Sequence, residues 1–341
     1  MSTAIVRKPK ELQFLETLSK RKRFTSKEKR YYFNLQRGFE GELLFSQFIG
    51  KLKNDSIILT DLLLEYNQTT FQVDCLLITR SKIFLYEVKN FEGDYYFDND
   101  KFYKKPRQEI INPFHQLSRA ESILRQMLLS IGSNTPIESY VVFVHPTFFL
   151  YQSPLDIPAI FPNQIERHVS FLMREAGNVT ATERRLASRL VELAKKESPF
   201  QKLPEVEYAE LNKRITCAAC EGLSMRLVKR TCVCGVCGYK ESVTTAVLRS
   251  ISEFQLLFPN ERLTTHRSFT GVESLYLRTS FTEYYQQILN RLGQKNGLTM
   301  FDRFVSGRMH REVYPLWVLS YSKFILAINR FYLHSLNKVL S

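Results

Sequence analysis

The stretch Phe84-Leu85-Tyr86-Glu87-Val88-Lys89-Asn90 begins like a buried strand and ends with two charges. Side chains two positions apart on a strand share a face, so Glu87 and Lys89 lie side by side near the strand's end. A few residues upstream, the run Phe71-Gln72-Val73-Asp74-Cys75-Leu76-Leu77-Ile78 places an acid inside an apolar strand. An unpaired buried carboxylate is costly, so Asp74 must be paired, protonated or bound to a cation. If the two strands are neighbours, Asp74 and Glu87 converge at one edge. Carboxylates there form the hard oxygen set that Mg²⁺ or Mn²⁺ accepts. Lys89 would orient or deprotonate a water, or stabilise charge on a phosphorane-like transition state. The bland alternative is an ion pair between Lys89 and Glu87 or Asp74 that closes the sheet end.

The surroundings of this stretch read as an α/β unit. Leu35, Phe39 and Leu43, with Leu44 and Phe48, recur at helical spacing over Tyr31 to about Lys51. Two strands, SIILTDLLLEY and TTFQVDCLLITRS, flank Asn67-Gln68, and a third covers 82–89. GDYYFDNDKFYKK reads as a hairpin turning at Asp98-Asn99-Asp100. Asn112-Pro113 opens a helix to about Ile131, Asn as the cap and Pro at the first position. SYVVFVHP follows as a buried strand.

Four motifs in this order resemble the NERD family, the nuclease-related domain of bacterial proteins, within the PD-(D/E)xK superfamily. They are Gly38-Phe39-Glu40-Gly41-Glu42, Val73-Asp74, Glu87-Val88-Lys89-Asn90-Phe91-Glu92-Gly93 and Asn112-Pro113-Phe114-His115-Gln116-Leu117. The resemblance spans about residues 34–150. It implies a restriction-endonuclease-like core, a mixed sheet flanked by helices. It also implies roles: Glu42 as the helix carboxylate, Asp74 and Glu87 as metal ligands, Lys89 as the catalytic lysine, and Gln116 at the metal water or the DNA backbone. Glu40, two positions from Glu42, cannot face the same site. The chain has Val-Asp where the superfamily name has Pro-Asp. Glu92 and Asp94 read as surface acids, and His115 as a packing or capping residue.

Beyond the core, residues 163–196 are helical with a break near Gly177-Asn178, and SPFQKLPEVEY reads as a linker. Cys217-x-x-Cys220 and Cys234-x-x-Cys237 are separated by thirteen residues. Two such pairs supply four thiolates to a structural Zn²⁺, with Gly235 and Gly238 suiting the knuckle. Cys232 is the alternative to Cys234 as ligand, and Cys75 reads as core. The expected organisation is a loosely attached basic arm (1–30), the nuclease-like unit (31–150), a helical segment and linker (151–212), a zinc-ribbon-like unit (213–242), a helical region with helix-turn-helix character (243–295) and a basic apolar end (296–341).

The net charge of +14 over 341 residues is uneven. Residues 1–30 carry ten Lys and Arg against three acids, and 213–240 carry six against one, whereas 31–150 are slightly acidic. That suits carboxylates collected for a cation, with basic flanks for a polyanion. No apolar run reaches the roughly 18 residues of a spanning helix, and the start has no apolar signal region. A cytoplasmic protein follows as the expectation. The first functional expectation is a metal-dependent nuclease acting on DNA, in DNA processing or defence. The alternatives are a nucleic-acid-binding or adaptor protein with little cleavage, and an accessory whose ribbon holds a protein partner.

Overall fold

A computed structural model describes residues 6–261 except 53–54, 99, 176, 196–202 and 230. Its elements in chain order are α1 (Lys10–Ser19), α2 (Ser26–Ile49), β1 (Ile57–Tyr66), β2 (Thr69–Ile78), β3 (Ile83–Lys89), β4 (Asp94–Asp98), β5 (Lys101–Lys104), β6 (Gln108–Ile110) and α3 (Pro113–Ser130). Then follow β7 (Ile137–Phe143), β8 (Phe149–Tyr151), β9 (Ala159–Ile160), α4 (Ile165–Glu175), α5 (Ala181–Leu193), β10 (Met225–Val228), β11 (Thr231–Cys234), β12 (Lys240–Ser242) and α6 (Val243–Leu257).

A mixed five-stranded sheet, ordered β1-β2-β3-β7-β9, forms the centre. β1, β2 and β3 pair antiparallel, and β7 and β9 add in parallel. Asn67 and Gln68 both take positive φ in the two-residue turn between β1 and β2, as a tight hairpin requires. One face of the sheet buries α3 and α5 through Leu117, Leu124, Met127 and Leu190. The opposite face buries α2 and α4 through Phe45, Ile49, Val169 and Leu172. Local chemistry fixes where these helices start. Thr25 and Glu28 form a capping box on α2, Asn112 accepts from the Phe114 N–H ahead of α3, and Thr180 and Glu183 cap α5.

Three boundaries differ from the sequence reading. The helix expected from Tyr31 begins at Ser26, because the capping box starts it there. The segment after residue 150 belongs to the core, since β9 joins the sheet and α4 and α5 cover its two faces. The N-terminal stretch, expected as a loose arm, is a packed helix: Leu12, Phe14, Leu15 and Leu18 of α1 are buried. Phe14, Leu15 and Leu18 share a cluster with Leu211 and Leu257, more than 190 residues away in the chain. The second helix of the expected helix-turn-helix and the 296–341 segment lie outside the described residues. Among the described residues, no helix is long and apolar enough to cross a membrane.

His168 of α4 is enclosed under the sheet by the rings of Phe84, Tyr86 and Tyr140. Its Nε2 lies 2.9 Å from the Tyr86 hydroxyl. Burial pushes its pKa down to about 4, with Glu138 pulling weakly the other way. A lowered folded pKa means the unfolded chain takes up the proton first. The neutral ring's contribution is therefore full above the ordinary histidine value. It falls as pH drops from about 6.5 towards 4, by up to about 3 kcal/mol. Replacing His168 by Phe should flatten the fall of the melting temperature over that interval, measured by thermal melts from pH 7 to 4. An unchanged slope would place the acid sensitivity elsewhere.

Candidate functional site

The sequence-predicted residues meet where the antiparallel half of the sheet comes apart. β2 and β3 pair as far as Cys75 opposite Tyr86. One step on, Asp74 accepts a 2.8 Å hydrogen bond at Oδ2 from the Val88 backbone N–H. A side-chain carboxylate thus takes over a donor at the end of the ladder. Glu87 and Lys89 follow on β3, and Lys89 Nζ donates to Glu87 Oε1 at 2.6 Å. Their side chains are only 13% and 18% exposed, so this is a shielded pair rather than a solvent-screened one.

A break in strand alternation opens this spot. In β1, Ile57 faces α3, and so do Leu62 and Leu64, although regular alternation would send even-numbered residues to the α2 side, where Ile58 lies. In β2, Val73 and Leu76 both face α3, while Cys75 and Leu77 face α2. The pairing stays in step, with Thr60 opposite Cys75 and Leu62 opposite Val73. Both strands therefore reverse face together, at Asp61 and Asp74. Asp61 makes the reversal with a φ of 52°, a left-handed conformation that Asp tolerates better than most residues.

Glu42 comes from α2. Asn90 Nδ2 donates to the Arg37 carbonyl at 2.9 Å, tying that helix to the end of β3. Gly41 makes the close approach possible: a Cβ there would stand 2.7 Å from the Asn90 Cβ. Glu42 and Asp74 line a cavity of about 10 Å³, room for about one water, with Val6 also on its wall. Burial, then the charge of Asp74, Asp61 and Glu87, raises the Glu42 pKa, while Lys89 lowers it. Burial and Glu87 likewise raise that of Asp74, against Lys89 and the Val88 N–H. Three shielded acids, Glu42, Asp74 and Glu87, thus share one lysine, and the exposed Asp61, which accepts from Gln72, adds like charge beside them. Their charge surplus and all-oxygen donors suit a divalent cation. No three of these acids bring oxygens within 4.8 Å of one another, whereas the four cysteines do bring their sulfurs that close.

Gln116 is exposed on the first turn of α3. Glu40 is exposed and bonded by Gln36, and Glu92 pairs with Arg37 at the surface. His115 is exposed and lies 3.5 Å from Asp100, so it does not pack in the core. Asp61 was missed in the sequence reading. Its signal was the one that exposed Asp74, an acid interrupting an apolar strand, here in Ile57-Ile58-Leu59-Thr60-Asp61-Leu62.

The second constellation is the three-stranded sheet β10-β11-β12 with its cysteines. Cys217 Sγ lies 3.7 Å from Cys237 Sγ, and Cys220 Sγ 3.6 Å from Cys234 Sγ. The two pairs have matching backbones. The N–H of Ala219 points at Cys217 Sγ, and that of Val236 at Cys234 Sγ. Glu221 and Gly238, each four residues past the first cysteine of its pair, both take positive φ and donate back to that cysteine's carbonyl. The N–H groups of Cys237 and Val236 lower the Cys234 pKa. Cys232 is buried away from the cluster against Ile215 and Ala246, so Cys234 is the fourth member. This is a zinc-ribbon-like arrangement of four sulfurs around one point.

Residues 37–144 match the family model of the nuclease-related domain (NERD). No curated protein and no solved structure matches the chain.

The contrast between two glycines of α2 tests how the helix is seated. Gly38 has open space where a Cβ would go. Gly38→Ala should stabilise by about 0.5–1 kcal/mol through helix propensity. Gly41→Ala gains the same propensity but must push α2 off Asn90, an overpacking cost of about 1–3 kcal/mol. Urea denaturation should therefore show opposite signs, or at least a clear deficit for Gly41→Ala. Equal effects would mean that α2 is not held by this contact.

Proposed function

From a nuclease-related domain that gathers Glu42, Asp61, Asp74, Glu87 and Lys89 at one sheet end, we propose that the chain is a metal-dependent nuclease hydrolysing DNA phosphodiester bonds. The observation that carries this reading is the surplus of carboxylate charge beside a single lysine: Glu42, Asp74 and Glu87 are shielded, and the exposed Asp61 adds to their field. A surplus of that kind destabilises an apo fold and serves a purpose when a cation neutralises it. Asp74 and Glu87 would hold Mg²⁺ or Mn²⁺, with Glu42 and Asp61 adding negative field around them. The bound cation would supply Lewis-acid polarisation of the phosphate and a more acidic water. Lys89, already directed at Glu87, places a positive charge where a non-bridging phosphate oxygen gains charge as water attacks phosphorus. Gln116, exposed on α3, would contact the DNA backbone.

Asp74→Asn and Glu87→Gln should each abolish Mg²⁺-supported cleavage of single-stranded, nicked and duplex DNA. Both should melt no lower than the parent in divalent-free buffer, because each removes like-charge repulsion and Asn retains an acceptor for the Val88 N–H. Parent-like cleavage by both variants would sink the assignment. Binding without cleavage by the parent itself, across Mg²⁺ and Mn²⁺, would favour the second reading: a nucleic-acid-binding protein in which the Lys89–Glu87 pair closes the sheet end.

The ribbon-like unit is proposed to hold one structural Zn²⁺ through Cys217, Cys220, Cys234 and Cys237. A reducing, cytoplasmic setting belongs to the same proposal, since it keeps four thiols available as ligands. Purified protein should contain about one Zn²⁺ per chain. Replacing Cys217 and Cys220 by Ser should remove it and raise protease sensitivity across 214–242. Elemental analysis finding no zinc in reduced protein would end this assignment.

A further inference from the structure

The accessory sheet β6-β5-β4-β8 springs from the strand ends that carry the site. β4 starts five residues after Lys89, and β8 six residues after Phe143 at the end of β7. Its inner face has an ordinary role: Tyr95 and Phe102 are buried in the core among Phe91, Phe143 and Phe148. The outer face is aromatic as well. Tyr96 is the register partner of Tyr103 on one side and of Tyr151 on the other, so the three rings lie in a row across three strands. Tyr96 and Tyr103 stack with centroids 5.2 Å apart and planes 14° from parallel. Phe149, two positions before Tyr151 on the same face, lies 4.6 Å from it. Phe149 is 55% exposed and Tyr151 39%.

Cations border this row. Lys105 Nζ stands 3.6 Å over the Tyr151 ring, and Arg107, two residues on in the chain, is exposed. Lys101 is neutralised by Glu109, and Asp94 and Asp98 flank Tyr96 on the outer face. Lys105 thus supplies positive charge at the Tyr151 end of the row, while Asp94, Asp98 and Glu109 lie on the rest of the face. Rings in register, exposed at Phe149 and Tyr151 and half-buried at Tyr96 and Tyr103, with a cation alongside are the parts of a surface that stacks bases and tracks a phosphate chain.

We propose that this outer face is a stacking platform for single-stranded nucleic acid, which leads the strand to the neighbouring carboxylate site. The proposal deepens the nuclease reading and rests on it for the strand's destination, but not for the binding itself. A duplex keeps its bases stacked on one another, so the platform favours single strands over duplex.

The test is fluorescence anisotropy of labelled oligothymidylate with full-length protein in EDTA, where no cleavage is needed. Phe149→Ala/Tyr151→Ala and Tyr96→Ala/Tyr103→Ala should each weaken binding at least about fivefold, the loss of about one stacked base. Duplex affinity should stay as in the parent. Phe149→Tyr and Tyr151→Phe keep the rings and should bind thymidylate like the parent, which guards against variants that merely misfold. An abasic strand of equal length should bind the parent as weakly as thymidylate binds the alanine variants. Parent-like affinity in the alanine variants, or equal affinity for abasic and thymidylate strands, would overturn the platform. So would a parallel loss of duplex binding, or a loss with Tyr151→Phe. If ring-dependent binding holds while the parent never cleaves, the nuclease reading alone fails. If the protein cleaves but binding ignores the rings, this one alone fails.

Discussion

The hydrogen bond from the Val88 N–H to Asp74 is where sheet, helix and charge depend on one another. β2 parts from β3 after Cys75, so the Val88 donor loses its ladder partner at a buried position. A buried N–H without an acceptor would cost roughly 1–3 kcal/mol. The Asp74 carboxylate satisfies it but brings a charge into the same low-dielectric space. Glu87 and Glu42 then add like charge, which Lys89 only partly offsets. The fold accepts this arrangement because core packs against it from both sides, with Tyr86 and Phe45 beneath and Phe143 beside. A conflict between local stability and charge at one point of an otherwise consistent core is the physical mark of a site.

Much of this was legible in the sequence because the signals are short-range. Glu87 and Lys89 share a face by strand period alone. The Asn112-Pro113 start of α3 follows from capping chemistry, and the two cysteine pairs announce themselves by spacing. What escaped depends on contacts that spacing does not encode. Asp61 sits in an apolar strand like Asp74. Its importance appears only when β1 is laid beside β2 and both are seen to reverse face at that level. Gly41 looks like helix-weakening punctuation until Asn90 is seen against it. The α1 helix was misread as a free arm because its partners are remote. Arg21 alone donates to the carbonyls of Asn212 and Arg214 and to the carboxylate of Glu253.

Those remote contacts change what the N-terminal basic residues can do. Glu253 also accepts from Thr216, and Arg249 joins Thr216 to Glu241 at the ribbon's last strand. The N-terminal helix, the strap before the ribbon and α6 are therefore one cross-linked unit. Lys20 pairs with Glu221, a knuckle residue of the ribbon, and Lys22 with Glu210. Lys8 is paired within its own segment, with Glu16. At least four of the ten cations in residues 1–30, Lys8, Lys20, Arg21 and Lys22, thus face carboxylates of the same chain. The positive charge that composition assigns to a free arm is in good part used to fasten the ribbon unit.

This shifts the burden of holding a polyanion. The site end is acidic, so a phosphate chain meets repulsion there until a cation is present. Counterion release by the N-terminal cations is reduced by those that are already paired. Stacking has no such weakness, because an aromatic face attracts a base whatever the field behind it. Tyr96, Phe149 and Tyr151 lie six to eight residues past the ends of β3 and β7, with Tyr103 paired to Tyr96, on a sheet whose other face is locked into the core. Their positions are therefore fixed by the same packing that fixes Glu87 and Lys89. Rigid attachment of both surfaces to one pair of strands is what would let a strand held by its bases present a phosphate repeatedly at one place.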